Sequence, residues 1–144
     1  MTQVELTSII YQGKPTNIIL STGKDGFFKV WHAENRLCLS VISTSATEAT
    51  SFAFSPTRSL IFVGTNKENM TILKLHQNEK DVCSAVGVIK RKNFTRCQQV
   101  NLENNQLIVL TDKKMEIYEL LSEQKAKIRQ KRVQSRKKHK EEEI

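Results

Sequence analysis

The pattern of a β-hairpin occurs three times along the 144 residues of this chain. In the first copy, residues 18–20 and 28–31 flank a turn that contains Asp25 and Gly26. The flanking segments consist mainly of β-branched, aromatic and other apolar residues, which are typical of buried strands. Asp-Gly favours a tight turn because glycine adopts positive φ angles without a steric clash. The first copy therefore predicts two antiparallel strands that end at Trp31.

The other two copies follow at a regular interval. They comprise residues 60–65 with 70–75 and residues 106–111 with 115–120. Leu73 follows Trp31 by about 42 residues and Tyr118 follows Leu73 by about 45, within the ~40–45 residues typical of β-propeller repeats. Further candidate strands lie between the hairpins, at 4–11, 36–42, 49–54, 82–89 and 94–100.

These strands predict an all-β fold of about three four-stranded antiparallel blades, a segment of a β-propeller. An unrelated all-β protein with three similarly spaced hairpins is the alternative. A closed propeller needs at least ~4 blades, and two open sides would leave sheet edges unpaired. We therefore expect the chain to be a segment of a larger propeller, a truncated or alternative product, or a piece completed by other chains. Residues 1–120 would form the partial propeller and residues 121–144 a basic helical tail.

The positive charge of the chain is concentrated in this tail. Residues 121–144 carry nine Lys or Arg and four Glu, which leaves only +3 of the formal net charge of +8 to the rest of the chain. The tail has no Gly or Pro and is rich in strong helix formers, and Ser122 is well placed as an N-cap. The basic residues are Lys125, Lys127, Arg129, Lys131, Arg132, Arg136, Lys137, Lys138 and Lys140.

Three interpretations of these nine residues remain open. The tail could be a solvated, partly disordered segment, and the run 137–140 would suit a nuclear-import signal. The third interpretation is RNA binding. Cations with few aromatic neighbours would contact phosphates without reading bases. Import and RNA binding are compatible.

The first hairpin resembles the WD-repeat family, whose repeats have a Gly-His pair early and a Trp-Asp pair at the end of the third strand. This chain has Trp31-His32 at that point and no Gly-His pair. The Asp/His/Ser/Trp hydrogen-bond network of strong repeats is therefore not expected, and Ser21 is its one plausible remnant. Asp25, Gly26 and Trp31 are the predicted structural residues of the repeat, and we expect Trp31 to be buried in its blade.

Taken in order, the motifs resemble one family of large nucleolar WD-repeat proteins. This is the tandem-propeller family of the small-subunit processome that includes U-three snoRNA-associated protein twelve. Three motifs match in order. The first is a Lys-Asp-Gly hairpin whose second strand ends with residues 29–31. The second is the strand at residues 114–118, and the third is the segment 121–123, which the basic run follows. The resemblance spans essentially the whole chain. The chain lacks the preceding blades, the second propeller and the C-terminal helical region typical of that family.

The resemblance implies a non-catalytic scaffold in ribosome biogenesis, located in the nucleus and nucleolus. The expected partners are other WD-repeat processome proteins and U-three snoRNA or pre-rRNA, with no small-molecule substrate. Proteins would bind to the blades and RNA to the tail. The alternative is a generic intracellular WD-repeat adaptor whose tail serves nuclear import or solubility only.

The sequence offers little support for other classes of function. The three His residues are far apart and lack metal-ligand spacing, so no metal and no cofactor is expected. No nucleophile, base and acid are placed by an evident scaffold, so we do not expect an enzyme. No apolar run reaches the ~18 residues that span a membrane. The chain has three cysteines, Cys38, Cys83 and Cys97, which are widely spaced. An odd number of distant cysteines makes a disulfide framework improbable and predicts reduced, mostly buried thiols.

Overall fold

The computed structural model describes residues 3–90, 95–101, 105–111 and 113–120. These residues form eleven strands in three antiparallel sheets, and the strands of each sheet are ordered as they occur along the chain. The first sheet contains β1 (Gln3–Tyr11), β2 (Lys14–Thr22), β3 (Phe27–His32) and β4 (Cys38–Ser43). The second contains β5 (Ala49–Ser55), β6 (Leu60–Thr65), β7 (Asn69–Leu75) and β8 (Cys83–Lys90). The third contains β9 (Thr95–Asn101), β10 (Gln106–Thr111) and β11 (Met115–Glu119).

Sequence and structure agree closely on these elements. Each strand predicted from the sequence is present, with ends displaced by no more than two residues except in β2, which begins at Lys14 rather than at residue 18. The third sheet has three strands among the described residues, where four were expected. The predicted tail helix, at 121–144, lies outside the described residues.

The three hairpins are equivalent in register as well as in spacing. Ile19 pairs with Trp31 in the first sheet, Ile61 with Leu73 in the second, and Leu107 with Tyr118 in the third. These cross-strand pairs join the positions that the sequence pattern predicted to correspond. The three hairpins therefore share the same cross-strand pairing as well as the same spacing along the chain.

The first two sheets pack face to face around one core. Phe28 and Phe52 are both almost completely buried, and their rings meet edge to face with centroids 5.5 Å apart. Ile18, Leu20 and Val30 of the first sheet join the same cluster. Edge-to-face aromatic pairs are worth about 0.5–1.5 kcal/mol beyond the area that they bury.

The opposite face of the second sheet packs on the third. Phe62 and Met70 belong to a separate cluster with Leu107 and Val109. Corresponding strands also contact each other from sheet to sheet, β1 with β5, β5 with β9, and β4 with β8. The second sheet thus has an apolar neighbour on each face, as a blade inside a propeller does.

Two burial predictions need correction. Trp31 is only partly buried, because its face of the first sheet points away from the second sheet. Cys38 is exposed at the start of the outer strand β4, whereas Cys83 is 3% exposed. Burial raises the pKa of the Cys83 thiol to about 12.

We expect Phe28→Ala to lower the free energy of unfolding by about 3–5 kcal/mol, because it leaves a cavity between the first two sheets. Phe27→Ala is the matched control. Phe27 precedes Phe28 in the same strand but is 36% exposed, so its removal should cost less than about 1 kcal/mol. Urea unfolding followed by tryptophan fluorescence measures both values. Equal destabilisation by the two changes would contradict this packing.

Alkylation should distinguish the two described thiols. At pH 8 the raised pKa makes the thiolate fraction of Cys83 about a thousandfold smaller than that of an ordinary cysteine. Burial also keeps the reagent away from the sulfur atom. Iodoacetamide should therefore modify Cys38 in the native protein and Cys83 only after urea is added. Peptide mass spectrometry reads each site separately. Rapid alkylation of Cys83 in the folded protein would show that this thiol is not buried between the first two sheets as described.

Candidate interaction surfaces

The turn between β2 and β3 is fixed to the segment that connects the first two sheets. Gly26 has a φ of 81°, and an added Cβ would come within 1.9 Å of the Ala46 carbonyl oxygen. The carbonyl of Gly26 accepts hydrogen bonds from the backbone N–H and the hydroxyl of Thr44, at 3.1 and 2.6 Å. Gly26 is therefore required both for its backbone conformation and for the space it leaves.

Asp25 closes the same turn with its carboxylate. Oδ1 accepts a hydrogen bond from the N–H of Phe27 at 3.1 Å, and Oδ2 lies 3.4 Å from Nζ of Lys29. The bond from Phe27, with Lys29 as a further contribution, holds the pKa of the Asp25 carboxyl below its ordinary value. Nζ of Lys29 also lies 5.8 Å from the ring centre of Trp31, a cation–π distance. The charges here are solvent-exposed, so the pair positions the turn more than it stabilises the fold.

Ser21 and Trp31 are joined by a side-chain hydrogen bond across β2 and β3. Nε1 of Trp31 donates to the hydroxyl of Ser21 at 2.9 Å, the bond that a remnant of the WD-repeat network would make. Asp25 is bonded to Phe27 and Lys29 instead. The Ser21–Trp31 bond is therefore made without Asp25.

Ser21 and Trp31 belong to an outward surface of the first sheet that we call the leading end face. It is formed by Val4, Leu6, Ile19, Ser21 and Trp31, which the register places on one side of the sheet. Val4 and Leu6 are 54% and 65% exposed. Large apolar side chains with this exposure, side by side, make the leading end face a candidate protein-binding surface.

Two concave sites lie on the leading end face, and Trp31 borders both. A cavity of about 370 Å³ is lined almost entirely by apolar atoms, whereas a second of about 270 Å³ is more polar. Ser21 and Trp31 line both. The larger is completed by Val4, Ile19, His32, Ala33 and Arg36, and the smaller by Thr22, Gly23, Lys24, Asp25, Phe27 and Lys29.

The third sheet has a similar outward surface, the trailing end face. It is formed by Ile108, Leu110, Met115 and Ile117, which pair across β10 and β11 on the side opposite to Leu107 and Val109. Leu110, Met115 and Ile117 are between 44% and 59% exposed. Among the residues that the structure describes, the three-sheet stack therefore has an apolar surface at each end.

The structure also brings together a serine, a histidine and a glutamate that the sequence pattern did not connect. Nε2 of His76 lies 2.7 Å from the hydroxyl of Ser84, and Nδ1 lies 3.6 Å from the Glu79 carboxylate. The Glu79 distance is too long for a hydrogen bond, and Glu79 is 62% exposed, so it does not orient the ring as a catalytic acid does. The His76–Ser84 bond instead closes the connection between β7 and β8.

That connection in turn holds the first sheet. The side-chain amide oxygen of Gln77 accepts from the N–H of Ile10 at 2.5 Å, and that of Asn78 accepts from the N–H of Gly13 at 3.1 Å. The N–H of Asn78 donates to the carbonyl of Ile10 at 2.8 Å. Apolar packing and these directional bonds together fix the angle between the first two sheets.

The predicted RNA-binding or import residues, from Lys125 to Lys140, lie outside the described residues. Within the described ranges no group of three or more His, Cys, Asp or Glu could hold a metal ion. The same ranges contain no helix long and apolar enough to cross a membrane. Of the predicted structural residues, Asp25 and Trp31 line the same concave site, and Gly26 packs against Ala46.

The comparison with solved structures supports this description of the fold. A chain of the mitotic checkpoint complex, which contains a WD-repeat propeller, aligns with 74% of this chain at 12% sequence identity and a TM-score of 0.60. This chain spans about a third of that chain's length, since the alignment covers 33% of it. No protein-family model and no curated protein sequence matches. The likeness shows a WD-repeat-like β-propeller fold.

We expect Gly26→Ala to destabilise the protein by about 3 kcal/mol or more, since it adds a steric clash to an unfavourable φ angle. Gly13→Ala is the matched control. Gly13 has a φ of 77° but nothing within 4 Å of an added Cβ, so only the conformational cost of roughly 1 kcal/mol applies. Thermal unfolding compares the two variants. A Gly26 variant as stable as the Gly13 variant would contradict the contact with Ala46.

Proposed function

We propose that this chain is a non-catalytic WD-repeat scaffold segment in ribosome biogenesis. In this proposal it acts in the small-subunit processome during pre-rRNA processing, in the nucleus and nucleolus. It binds other WD-repeat proteins through its sheets and U-three snoRNA or pre-rRNA through its basic tail. The observation that carries the proposal is a basic run placed directly after a propeller segment, the order in which the resembling nucleolar family has them.

Charge distribution supports the RNA-binding part. Residues 121–144 carry a net charge of +5 within 24 residues, whereas the preceding 120 residues carry +3. Neutralised phosphates release counterions, so a segment of this kind gains affinity for RNA without base contacts. Affinity of this origin falls steeply with salt concentration.

The two end faces support the protein-binding part. Each presents adjacent apolar side chains that are about half exposed, on a rigid sheet. Such surfaces gain free energy when they are removed from water, at roughly 25 cal/mol per Å² of apolar area. A sheet surface of matching shape is the natural partner because successive sheets inside this chain already pack in that way.

A second candidate is a generic WD-repeat adaptor with a tail that serves import or solubility only. The run 137–140 favours this candidate, since a short basic cluster suits an import signal. The two candidates differ in one measurable property. Only the first requires the tail to bind RNA directly.

We expect replacement of Lys131, Arg132, Lys137 and Lys138 by Ala to weaken RNA binding for U-three snoRNA and for an unrelated RNA of equal length by similar factors. Phosphate contacts carry no base information, so the weakening should not depend on sequence. The slope of log affinity against log salt should become shallower by about 0.7–0.9 for each phosphate that the variant no longer neutralises. Fluorescence anisotropy at several salt concentrations measures both effects.

A matched control removes the same charge from residues that precede the tail. The exposed lysines Lys14, Lys24, Lys90 and Lys113 are changed to Ala, and RNA affinity should then remain close to that of the unchanged protein. An equal decrease in affinity for both variants would refute a tail-specific site. If the tail variant keeps its RNA affinity but no longer accumulates in the nucleus, the adaptor candidate is correct. Co-purification of U-three snoRNA with the tagged chain tests the processome assignment itself.

A further inference from the structure

The connection between β7 and β8 bonds the second sheet to the first through two adjacent residues. The side-chain oxygen of Gln77 accepts a hydrogen bond from the N–H of Ile10 at 2.5 Å. Asn78 donates to the carbonyl of Ile10 and accepts from the N–H of Gly13, at 2.8 and 3.1 Å. We call these three bonds the inter-sheet contact. Because both sheets lie within the described residues, the contact depends on no further blade.

His76 and Glu79 stand on either side of the two residues that make the inter-sheet contact. Nδ1 of His76 lies 3.6 Å from the carboxylate of Glu79, three positions further along the chain. The same ring is held on its other side by Ser84, whose hydroxyl lies 2.7 Å from Nε2. The His76–Glu79 pair therefore closes the short turn from which the inter-sheet contact is made.

Protonation of the imidazole changes how well both contacts of His76 are satisfied. A neutral imidazole has one N–H, so it can donate toward Ser84 or toward Glu79 but not toward both. An imidazolium has two N–H groups and a positive charge, so it donates to the Ser84 hydroxyl and attracts the Glu79 carboxylate at the same time. The protonated form therefore favours the closed turn. Imidazoles gain this proton as the pH falls from about 8 to about 5, an interval in which ordinary carboxylates stay ionised.

We propose that the inter-sheet contact is a pH-sensitive fastening between the first two sheets, which protonation of His76 tightens. The added stability is present near about pH 5.5, where imidazoles are charged, and is lost as the pH rises to about 7.5. Since Glu79 is 62% exposed, solvent limits the effect to roughly a twofold to fivefold change in the equilibrium between closed and open contact. This inference goes beyond the proposed function, because it concerns the packing of one sheet on another and requires no partner.

Most other charged or titratable side chains of the elements around the inter-sheet contact cannot produce such a change. They are Tyr11 and Lys14 on the hairpin, Arg58 in the β5–β6 turn, Lys74 on β7, Lys80 and Asp81 in the connection, and Cys83 on β8. Groups of these kinds keep one charge state between about pH 5.5 and 7.5, and burial raises the pKa of Cys83 to about 12. Two groups of the first sheet have to be separated from His76 by experiment. They are His32, whose ring centroid lies 6.2 Å from that of Tyr11, and Glu5, whose carboxyl pKa is raised by burial.

Hydrogen exchange of single amides, followed by NMR on the isotope-labelled full chain, measures the inter-sheet contact directly. Protection factors, corrected for the intrinsic pH dependence of exchange, are compared at about pH 5.5 and 7.5. The amides of Ile10 and Gly13 donate to the connection, so they should be roughly twofold to fivefold more protected at the lower pH. The amide of Thr44 donates to Gly26 at the other end of the first sheet and should be equally protected at both.

Two substitutions in the connection assign the effect. Glu79→Gln removes the charge that attracts the imidazolium and keeps the size of the side chain, so it should abolish the pH dependence at Ile10 and Gly13. Asp81→Asn is the matched control, since Asp81 is an exposed carboxylate of the same connection that forms no ion pair among the described residues. This control should keep the pH dependence of the unchanged chain. Circular dichroism verifies that both variants are folded.

Three results would overturn the proposal. The first is protection at Ile10 and Gly13 that is the same at both pH values, because the contact would then be permanent. The second is a pH dependence that survives in the Glu79→Gln variant, because it would then come from His32 or Glu5. The third is an equal change at Thr44, because the whole first sheet would then respond to pH.

Discussion

Burial of apolar residues on both sides of a sheet is the constraint on which the rest of this structure depends. The second sheet meets it within the chain, with Phe52 and Leu73 packed against the first sheet and Phe62 and Met70 against the third. An antiparallel sheet that is apolar on both faces is stable in water only between two neighbours. Stacking of successive sheets follows from this. Among the described residues, the outermost face at each end of the stack is apolar and exposed.

Directional contacts convert this stack into a defined geometry. Apolar packing tolerates sliding of one sheet over another, but the bonds from the β7–β8 connection to the β1–β2 hairpin do not. The Gly26 turn adds a third point of attachment through Thr44. Core burial supplies most of the free energy, and these bonds select one arrangement among those that bury similar area.

The same constraint links stability to function. A blade needs a neighbour, so an uncovered blade face is both a site of marginal stability and a site of association. The leading end face shows this at Trp31, which keeps its bond to Ser21 while its ring lines two concave sites. The proposed scaffold role in ribosome biogenesis would use surfaces that the sheet stack leaves exposed.

The sequence by itself determined the local structure, because alternation of apolar residues and turn chemistry act over short distances. It predicted the strands, the spacing of about 42 and 45 residues between hairpins and the role of Asp25 and Gly26. The exposure of Trp31, the bonding of His76 to Ser84 and the two end faces depend instead on which sheet lies against which. A pattern shows that a side chain belongs to an apolar face but not whether a neighbour covers that face, and only the tertiary structure decided this.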